Sequence, residues 1–211
     1  MQDIQLEVTK KLVQINTIKI QPSNPFTWAS GWKAPIYCDN RKLLSYPEAR
    51  TFICKQFAKI VREKYPQAEV IAGVATGAIA HGVLVAEELG LPFVYVRSAP
   101  KDHGLENLIE GDLKAGQKVV IIEDLVSTGV SSLKAAEAIR TAGGAEVLGM
   151  LAIFTYNFPV AKEAFEKARI ELTTLSQYQT LIEVALESGE IEECQVESLK
   201  RWREDPANWG K

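Results

Sequence analysis

Two adjacent carboxylates, Glu123 and Asp124, follow an apolar run at residues 119–122 in the stretch QKVVIIEDLVSTGVSS. Because this run is mostly β-branched, it predicts a strand that is buried on both faces. The sequence Ser-Thr-Gly at 127–129 then indicates a short turn with two hydroxyl groups. Apolar residues recur at helical spacing through 133–140 and stop before two glycines, so we expect a helix after the turn.

A strand, a tight turn and the start of a helix together predict an anion site. Free backbone N–H groups at a helix N-terminus point into such a turn, and the helix dipole favours negative charge there. The two carboxylates would repel a phosphate, so we expect them to face sugar hydroxyls, a metal ion or a carbon that becomes positive. A sugar phosphate satisfies both halves of this site. The alternative is that the acids are solvated or cap a helix.

A positively charged group of residues follows the strand that we predict at 92–96. Arg97 comes at the strand end, and Lys101 and His103 follow in the segment SAPKDHGLENLIEGDLKAG. The chain has a formal net charge of −3, so an anionic ligand must be held by a local cluster of basic groups. These three side chains, with His103 protonated, could balance the charge of a diphosphate. A solvated, charged loop is the alternative from composition alone.

A second strand, turn and helix are predicted earlier in the chain. The strand at 70–74 ends in Ala-Thr-Gly-Ala, and a helix is expected at 79–89. The small residues Thr76 and Gly77 leave room for backbone to approach a ligand in this turn. His81 lies within the helical pattern, where we expect a structural role.

Five predicted strands alternate with helices, at 70–74, 92–96, 119–122, 147–156 and 170–174. This alternation predicts an α/β fold with a mostly parallel central sheet flanked by helices. Ligand sites in such sheets lie at the carboxyl ends of the strands, so the three polar turns are expected to converge.

The chain is expected to form a single domain over residues 1–211, with residues 1–45 adding an N-terminal helix and a small hood. Proline, glycine and aromatic residues interrupt the pattern at 19–35, and this segment could cover either a site or the core. A short strand is predicted at 35–41. Cys38 within it is expected to be a small buried filler.

The bulk composition favours a soluble enzyme of the cytoplasm. Hydrophobic residues make up 46% of the 211 residues and charged residues 24%, which is ordinary for a globular enzyme. Three widely spaced cysteines form no disulfide framework, as expected in a reducing compartment. The acidic net charge argues against nucleic acid or anionic membrane as a partner, and no apolar run is long enough to span a bilayer. The sequence also has no P-loop, and no GxGxxG follows a strand.

The stretch at 117–132 resembles the phosphoribosyl diphosphate (PRPP) motif of the type I phosphoribosyltransferases. This resemblance implies that Glu123 and Asp124 hold ribose hydroxyls, with Asp124 close to the reacting carbon, and that the following turn cradles the 5′-phosphate. The turn residues implied in PRPP binding are Leu125, Val126, Ser127, Thr128, Gly129, Val130 and Ser131. The turn at Thr76 and Gly77 matches the pyrophosphate loop of the same family.

Two further stretches are similar to the orotate phosphoribosyltransferases. The segment FTWASGWKAPIYCDNR at 26–41 looks like their N-terminal signature, and R-x-x-x-K-D-H-G from Arg97 matches their flexible catalytic loop. The match implies that Lys101 and His103 are catalytic and that they bind PRPP together with Arg97.

This chain departs from some of these relatives at three places. Ala29 stands where other branches have a Lys that acts on the substrates. Ser98 stands where some relatives have a further basic residue right after the arginine of the loop. The sequence at 155–157 is Thr-Tyr-Asn, where some relatives have an Arg that reaches the orotate carboxylate. Ser127 or hood backbone is the expected substitute.

The resemblance implies a reaction of PRPP with orotate that gives orotidine 5′-monophosphate and pyrophosphate, in pyrimidine (UMP) biosynthesis. It also implies Mg²⁺ as cofactor, held mainly through PRPP without a protein metal site. The expected assembly is a homodimer in which the loop of one subunit closes over the site of the other. Two alternatives stay open: a different nucleobase, and a non-catalytic PRPP-sensing regulator on the same fold.

Overall fold

The structure is a computed structural model, and it describes residues 2–28, 31–99 and 108–209. The predicted residues Lys101 and His103 lie outside these ranges, as does Ala29. The helices are α1 (Gln2–Gln14), α2 (Pro47–Lys64), α3 (Ile79–Leu89), α4 (Val130–Thr141), α5 (Pro159–Ala168), α6 (Tyr178–Glu187) and α7 (Glu193–Glu204). A 3₁₀ helix spans Asn40–Ser45. None of the helices in the described ranges is long and apolar enough to cross a membrane.

The strands fall into one large sheet and two small pairs. They are β1 (Ile18–Ile20), β2 (Phe26–Thr27), β3 (Lys33–Ala34), β4 (Ile36–Cys38), β5 (Val70–Val74), β6 (Phe93–Val96), β7 (Ile109–Glu110), β8 (Lys118–Val126), β9 (Glu146–Thr155) and β10 (Leu172–Gln177). Within the described residues, six strands form the large sheet in the order β10-β9-β8-β5-β6-β7. Neighbouring strands are parallel except for β7, which pairs antiparallel with β6. The predicted mostly parallel sheet is therefore confirmed.

Alternate residues of the apolar run in β8 enter two different cores. Val120 and Ile122 pack in a core with α1, α2, α3, α6 and α7, whereas Val119 and Ile121 pack in a core with α4 and α5. Both faces of the strand are therefore covered by helices. This explains why the sequence is continuously apolar here and does not alternate with polar residues.

The strand β8 is longer than predicted. It continues to Val126, so Glu123 and Asp124 lie within a strand that pairs with β9 and not after its end. Successive side chains of a strand point to opposite faces of the sheet. The two carboxylates therefore leave the backbone in opposite directions.

The turn after β8 requires glycine at its last position. Gly129 has φ +81° and caps α4 at its N-terminus. A Cβ atom at this position would lie 2.9 Å from the ring of Phe165 on α5. Any larger residue would therefore meet both backbone strain and a steric clash.

The N-terminal region forms two small antiparallel pairs where a single short strand was predicted at 35–41. β1 pairs with β4, and β2 pairs with β3. Trp28 follows β2, and its ring centroid lies 5.1 Å from that of Tyr156 and 5.7 Å from that of Trp202. These ring contacts join the aromatic segment to the end of β9 and to α7.

We predict that Trp202→Ala lowers the free energy of unfolding by about 3–5 kcal/mol, because it leaves a cavity in a fully buried aromatic cluster. The ring contacts that Trp202 makes are to Trp28, Tyr156, Phe158 and Tyr178. Urea denaturation measures the change, and Trp202→Phe is expected to lose less. Lys200→Ala, at an exposed position of the same helix, should stay within about 0.5 kcal/mol. Equal stability of the two alanine variants would contradict the prediction.

Candidate active site

The carboxyl ends of β5 and β8 meet at a cleft of about 400 Å³, which we call the diacid cleft. It is lined by Cys38, Asp39, Arg41, Val74, Ala75, Thr76, Gly77, Glu123, Asp124, Leu125 and Ser131. The structure thus brings together the turn at 76–77 and the acids at 123–124, which the sequence places almost fifty residues apart. This is the convergence expected for a parallel sheet.

Glu123 is the buried member of the acid pair, with 4% of its surface exposed. Its Oε2 accepts a hydrogen bond from Ser132 Oγ at 2.8 Å, and its Oε1 accepts one from the Asp124 backbone N–H at 3.0 Å. Burial, and to a smaller extent the charge of Asp124, raises the pKa of Glu123 well above its ordinary value of 4.5. The site therefore favours a protonated Glu123 that supports its neighbour and the first turn of α4.

Asp124 is half-buried and lies against the turn between β5 and α3. A Cβ atom at position 77 would collide with its carboxylate, so only glycine allows this close approach. The Ala75–Thr76 peptide bond of the same turn is cis. Because Glu123 is buried and Asp124 lines the cleft, Asp124 is the carboxylate of the pair that remains available to a ligand.

Asn40 connects the N-terminal region to this acid, although the sequence analysis did not single it out. Its side chain is fully buried, and its Nδ2 donates to the Asp124 carbonyl at 2.7 Å. The thiol of Cys38 donates to Asn40 Oδ1 at 3.4 Å. The only sequence signal was an asparagine within PIYCDNR, and its partner lies 84 residues further along the chain.

Cys38 and His81 are buried beside the diacid cleft. Burial raises the pKa of the Cys38 thiol well above 9.0, with smaller contributions from Asp124 and Asp39. Burial also lowers the pKa of His81 below 6.5, partly offset by Asp124. Both shifts favour the neutral side chain. These environments agree with the structural roles predicted for the two residues.

Arg97 lies in a second cleft of about 560 Å³, which we call the turn cleft. It is lined by Val74, Ala75, Arg97, Ser98, Leu108, Thr128, Val130, Ser131, Lys134, Ala135, Glu137, Ala138 and Thr141. Arg97 Nη1 pairs with Glu110 Oε1 at 3.4 Å. Lys134 is a further cation here that the sequence analysis did not single out. The turn cleft and the diacid cleft share Val74, Ala75 and Ser131 and are therefore contiguous.

A third cleft of about 390 Å³, the hood cleft, adjoins the diacid cleft. It is lined by Thr27, Trp28, Tyr37, Cys38, Leu125, Ser127 and Tyr156. Cys38 and Leu125 also line the diacid cleft. Aromatic walls with a few hydroxyl groups suit a flat ring with polar edges.

Another cleft, of about 730 Å³, lies between residues 22–33 and the C-terminal segment. It contains none of the site residues that the sequence predicts. Size alone therefore does not identify the site, whereas the meeting of strand ends does.

The described part of the chain has no group of three or more His, Cys, Asp or Glu side chains arranged to hold a metal ion. It does offer oxygen ligands at the diacid cleft, where Asp39 and Asp124 are lining residues. Mg²⁺ prefers such a site, with one or two carboxylates, because it keeps several waters and binds substrate phosphates. The residues fit an ion that arrives with a diphosphate.

An acid pair, a turn at a helix N-terminus and a turn of small residues, which meet at the strand ends of this sheet, agree with a phosphoribosyltransferase. The family described as "Phosphoribosyl transferase domain" matches residues 45–156.

The chain belongs to the orotate phosphoribosyltransferase family. It is 63% identical to the orotate phosphoribosyltransferase of Phocaeicola vulgatus, over 95% of this chain and 94% of the relative. It is 61% identical to that of Porphyromonas gingivalis, over 96% of each chain. The crystal structure of orotate phosphoribosyltransferase from Aeropyrum pernix matches with a TM-score of 0.75 and 25% identity, covering 88% of this chain and 99% of that one.

We predict that Glu123→Gln raises the melting temperature by a few degrees at alkaline pH and by less in acid. The raised pKa of Glu123 means that the native state keeps its proton, so wild-type stability falls as pH rises above 4.5, where the unfolded chain ionises. Glutamine stays neutral throughout and can still pair with Ser132. Circular dichroism melts between about pH 5 and about pH 8 measure the difference.

Glu163→Gln, at an exposed position of α5, is the matched control and should show no such pH-dependent gain. A Glu123→Gln effect that is constant across this pH range would show that burial does not hold a proton on Glu123.

Proposed function

We propose that this chain transfers the phosphoribosyl group of PRPP to orotate, which gives orotidine 5′-monophosphate and pyrophosphate in pyrimidine biosynthesis. The observation that carries the proposal is the contact of the Asp124 carboxylate with the turn at Gly77, between two further contiguous clefts. The high identity to orotate phosphoribosyltransferases supports orotate as the base.

Each part of the substrates has a suitable place in these clefts. We place the ribose hydroxyls at Asp124 and the diphosphate at the turn of Thr76 and Gly77. The 5′-phosphate would lie at 127–131, where the N-terminus of α4 provides backbone N–H groups and a favourable dipole. Orotate would occupy the aromatic hood cleft, with the Ser127 hydroxyl at its edge.

The chemistry follows from the charges that develop in the reaction. Cleavage of the C1–O bond leaves its electron pair on pyrophosphate and a partial positive charge on the ribose. Asp124 stabilises that positive charge, and Lys101 and His103 are proposed as the catalytic cations on the leaving group. Orotate attacks as the anion that has lost its N1 proton to solvent, and the N1 electron pair forms the new bond to C1, so no protein nucleophile is required.

The structure gives Glu123 and Arg97 protein partners, which limits the direct contact with PRPP that the sequence pattern suggested for them. Glu123 is buried and hydrogen-bonded to the Asp124 backbone, so it acts on the ribose mainly through the position of Asp124. Arg97 is paired with Glu110 in the turn cleft. Direct contact of either residue with PRPP stays a prediction.

We propose Mg²⁺ as the divalent ion that accompanies PRPP. When bound, it neutralises diphosphate charge and makes pyrophosphate a better leaving group. Asp124 and Asp39 are the carboxylates of the diacid cleft that could contact it, and the diphosphate and water would supply the other ligands.

Residues 1–211 are proposed to act as one catalytic domain, with residues 1–45 contributing α1 and the hood. We also propose a cytoplasmic location. Cys38, Cys54 and Cys194 are free thiols, which suits a reducing compartment.

An assay with four bases tests the proposed reaction. With PRPP and Mg²⁺ present, we expect orotate to be consumed with a kcat/KM at least about a hundredfold above that for uracil, adenine or hypoxanthine. Ultraviolet absorbance follows the loss of each base. Faster use of another base would replace orotate as the substrate, and PRPP binding without turnover of any base would favour the regulator.

A mixing experiment tests the proposed homodimer with a shared loop. Lys101→Ala and Asp124→Asn homodimers should both be nearly inactive, because each site lacks one essential group. Unfolding and refolding them together makes half of the dimers mixed, and each mixed dimer has one intact site if the loop serves the partner subunit. Activity should recover to about a quarter of wild type.

No recovery, with subunit exchange verified by mass spectrometry of tagged chains, would show that each loop serves its own subunit. That result would leave the proposed reaction unchanged.

A further inference from the structure

Arg41 lines the diacid cleft, and among the described residues that line it Arg41 is the basic one. Its Nε donates to Asp39 Oδ1 at 2.6 Å, and its backbone N–H donates to the same oxygen at 3.3 Å. The side chain is 60% exposed, so a ligand in the cleft can reach it. The hydrogen bond and charge of Asp39 raise the pKa of Arg41, and the charge of Asp124 adds a smaller contribution.

The backbone that carries Arg41 is anchored to the acid pair. Asn40, the residue before it, is fully buried and donates to the Asp124 carbonyl. Asp39 caps the 3₁₀ helix that begins at Asn40. The start of the arginine side chain is therefore held at a defined position relative to Asp124, and Asp39 holds its Nε.

The charge of the cleft requires a cation at this place. Asp39 and Asp124 bring two carboxylates to the cleft besides the buried Glu123, whose raised pKa favours the neutral form, and the ligand of the proposed function carries a diphosphate. A guanidinium has five N–H groups, of which Asp39 uses the one on Nε. The fork at Nη1 and Nη2 matches two phosphate oxygens, which is the geometry in which arginine binds phosphate most strongly.

We infer that Arg41 binds the diphosphate of PRPP in the diacid cleft, which the turn at Thr76 and Gly77 also lines. This inference rests on the proposed function. It gives the chain a positive contact with the leaving group that does not depend on the loop after Arg97. It also provides a charge that position 98, a serine here, does not supply.

Calorimetric titration of two products separates this role from a general effect on the site. We expect Arg41→Gln to weaken the binding of pyrophosphate, measured with Mg²⁺, by about ten- to a hundredfold. Binding of orotidine 5′-monophosphate should stay within about twofold of wild type, because this product has no diphosphate. In kinetics, the KM for PRPP should rise while the KM for orotate stays the same.

Two further variants sharpen the comparison. Lys42→Gln removes the adjacent positive charge, which lies on the same 3₁₀ helix and donates to the Asn16 carbonyl, and should leave both affinities unchanged. Arg41→Lys should recover part of the pyrophosphate affinity, since it keeps the charge but loses the fork. Thermal melts are expected to show all three variants folded, because Arg41 is mostly exposed.

Unchanged pyrophosphate affinity in Arg41→Gln would overturn the inference, and so would an equal loss of affinity for both products. Equal losses in Arg41→Gln and Lys42→Gln would also overturn it, because they would reflect the general field of the surface. A wild-type protein that binds neither product and consumes no orotate would instead remove the proposed function itself.

Discussion

The opposite directions of neighbouring side chains on β8 determine how this site works. Glu123 points to the face of the sheet covered by α4, where Ser132 donates a hydrogen bond to it. Asp124 points to the face that carries the turn before α3. Two adjacent carboxylates would otherwise repel each other when both are charged. The sheet separates them into a buried group, whose pKa burial raises, and a half-buried group that lines the cleft. Gly77 and Asn40 are then arranged around the accessible acid.

Much of the fold could be predicted from local patterns. The continuous apolar runs identified the central strands, and the helical periods identified α3 at its observed ends and α4 after the turn. The parallel order of the sheet then followed from the alternation of strands and helices. The strands β1, β2, β3 and β7 contain two or three residues each, which is too short for a period to be recognisable.

The candidate site was predictable in its location but not in the roles of its residues. The acids and the turn after β8 pointed to the edge of the sheet where the diacid cleft lies. The burial of Glu123 and the pairing of Arg97 with Glu110 depend on contacts that no local pattern specifies. The hydrogen bond from Asn40 to the Asp124 carbonyl joins residues 84 positions apart, and no local pattern specifies it either. The sequence PIYCDNR, which contains Asn40, therefore contributed only a family resemblance.

Trp28 belongs to two environments at once, since it forms a wall of the hood cleft and also contacts the rings of Tyr156 and Trp202. The shape of the hood cleft is therefore determined jointly by the first thirty residues and by α7. Recombination between relatives that exchanged only one end of the chain would pair a hood with a helix selected for a different ring arrangement. The two ends of the chain, far apart in sequence, must therefore be compatible with each other to form this cleft.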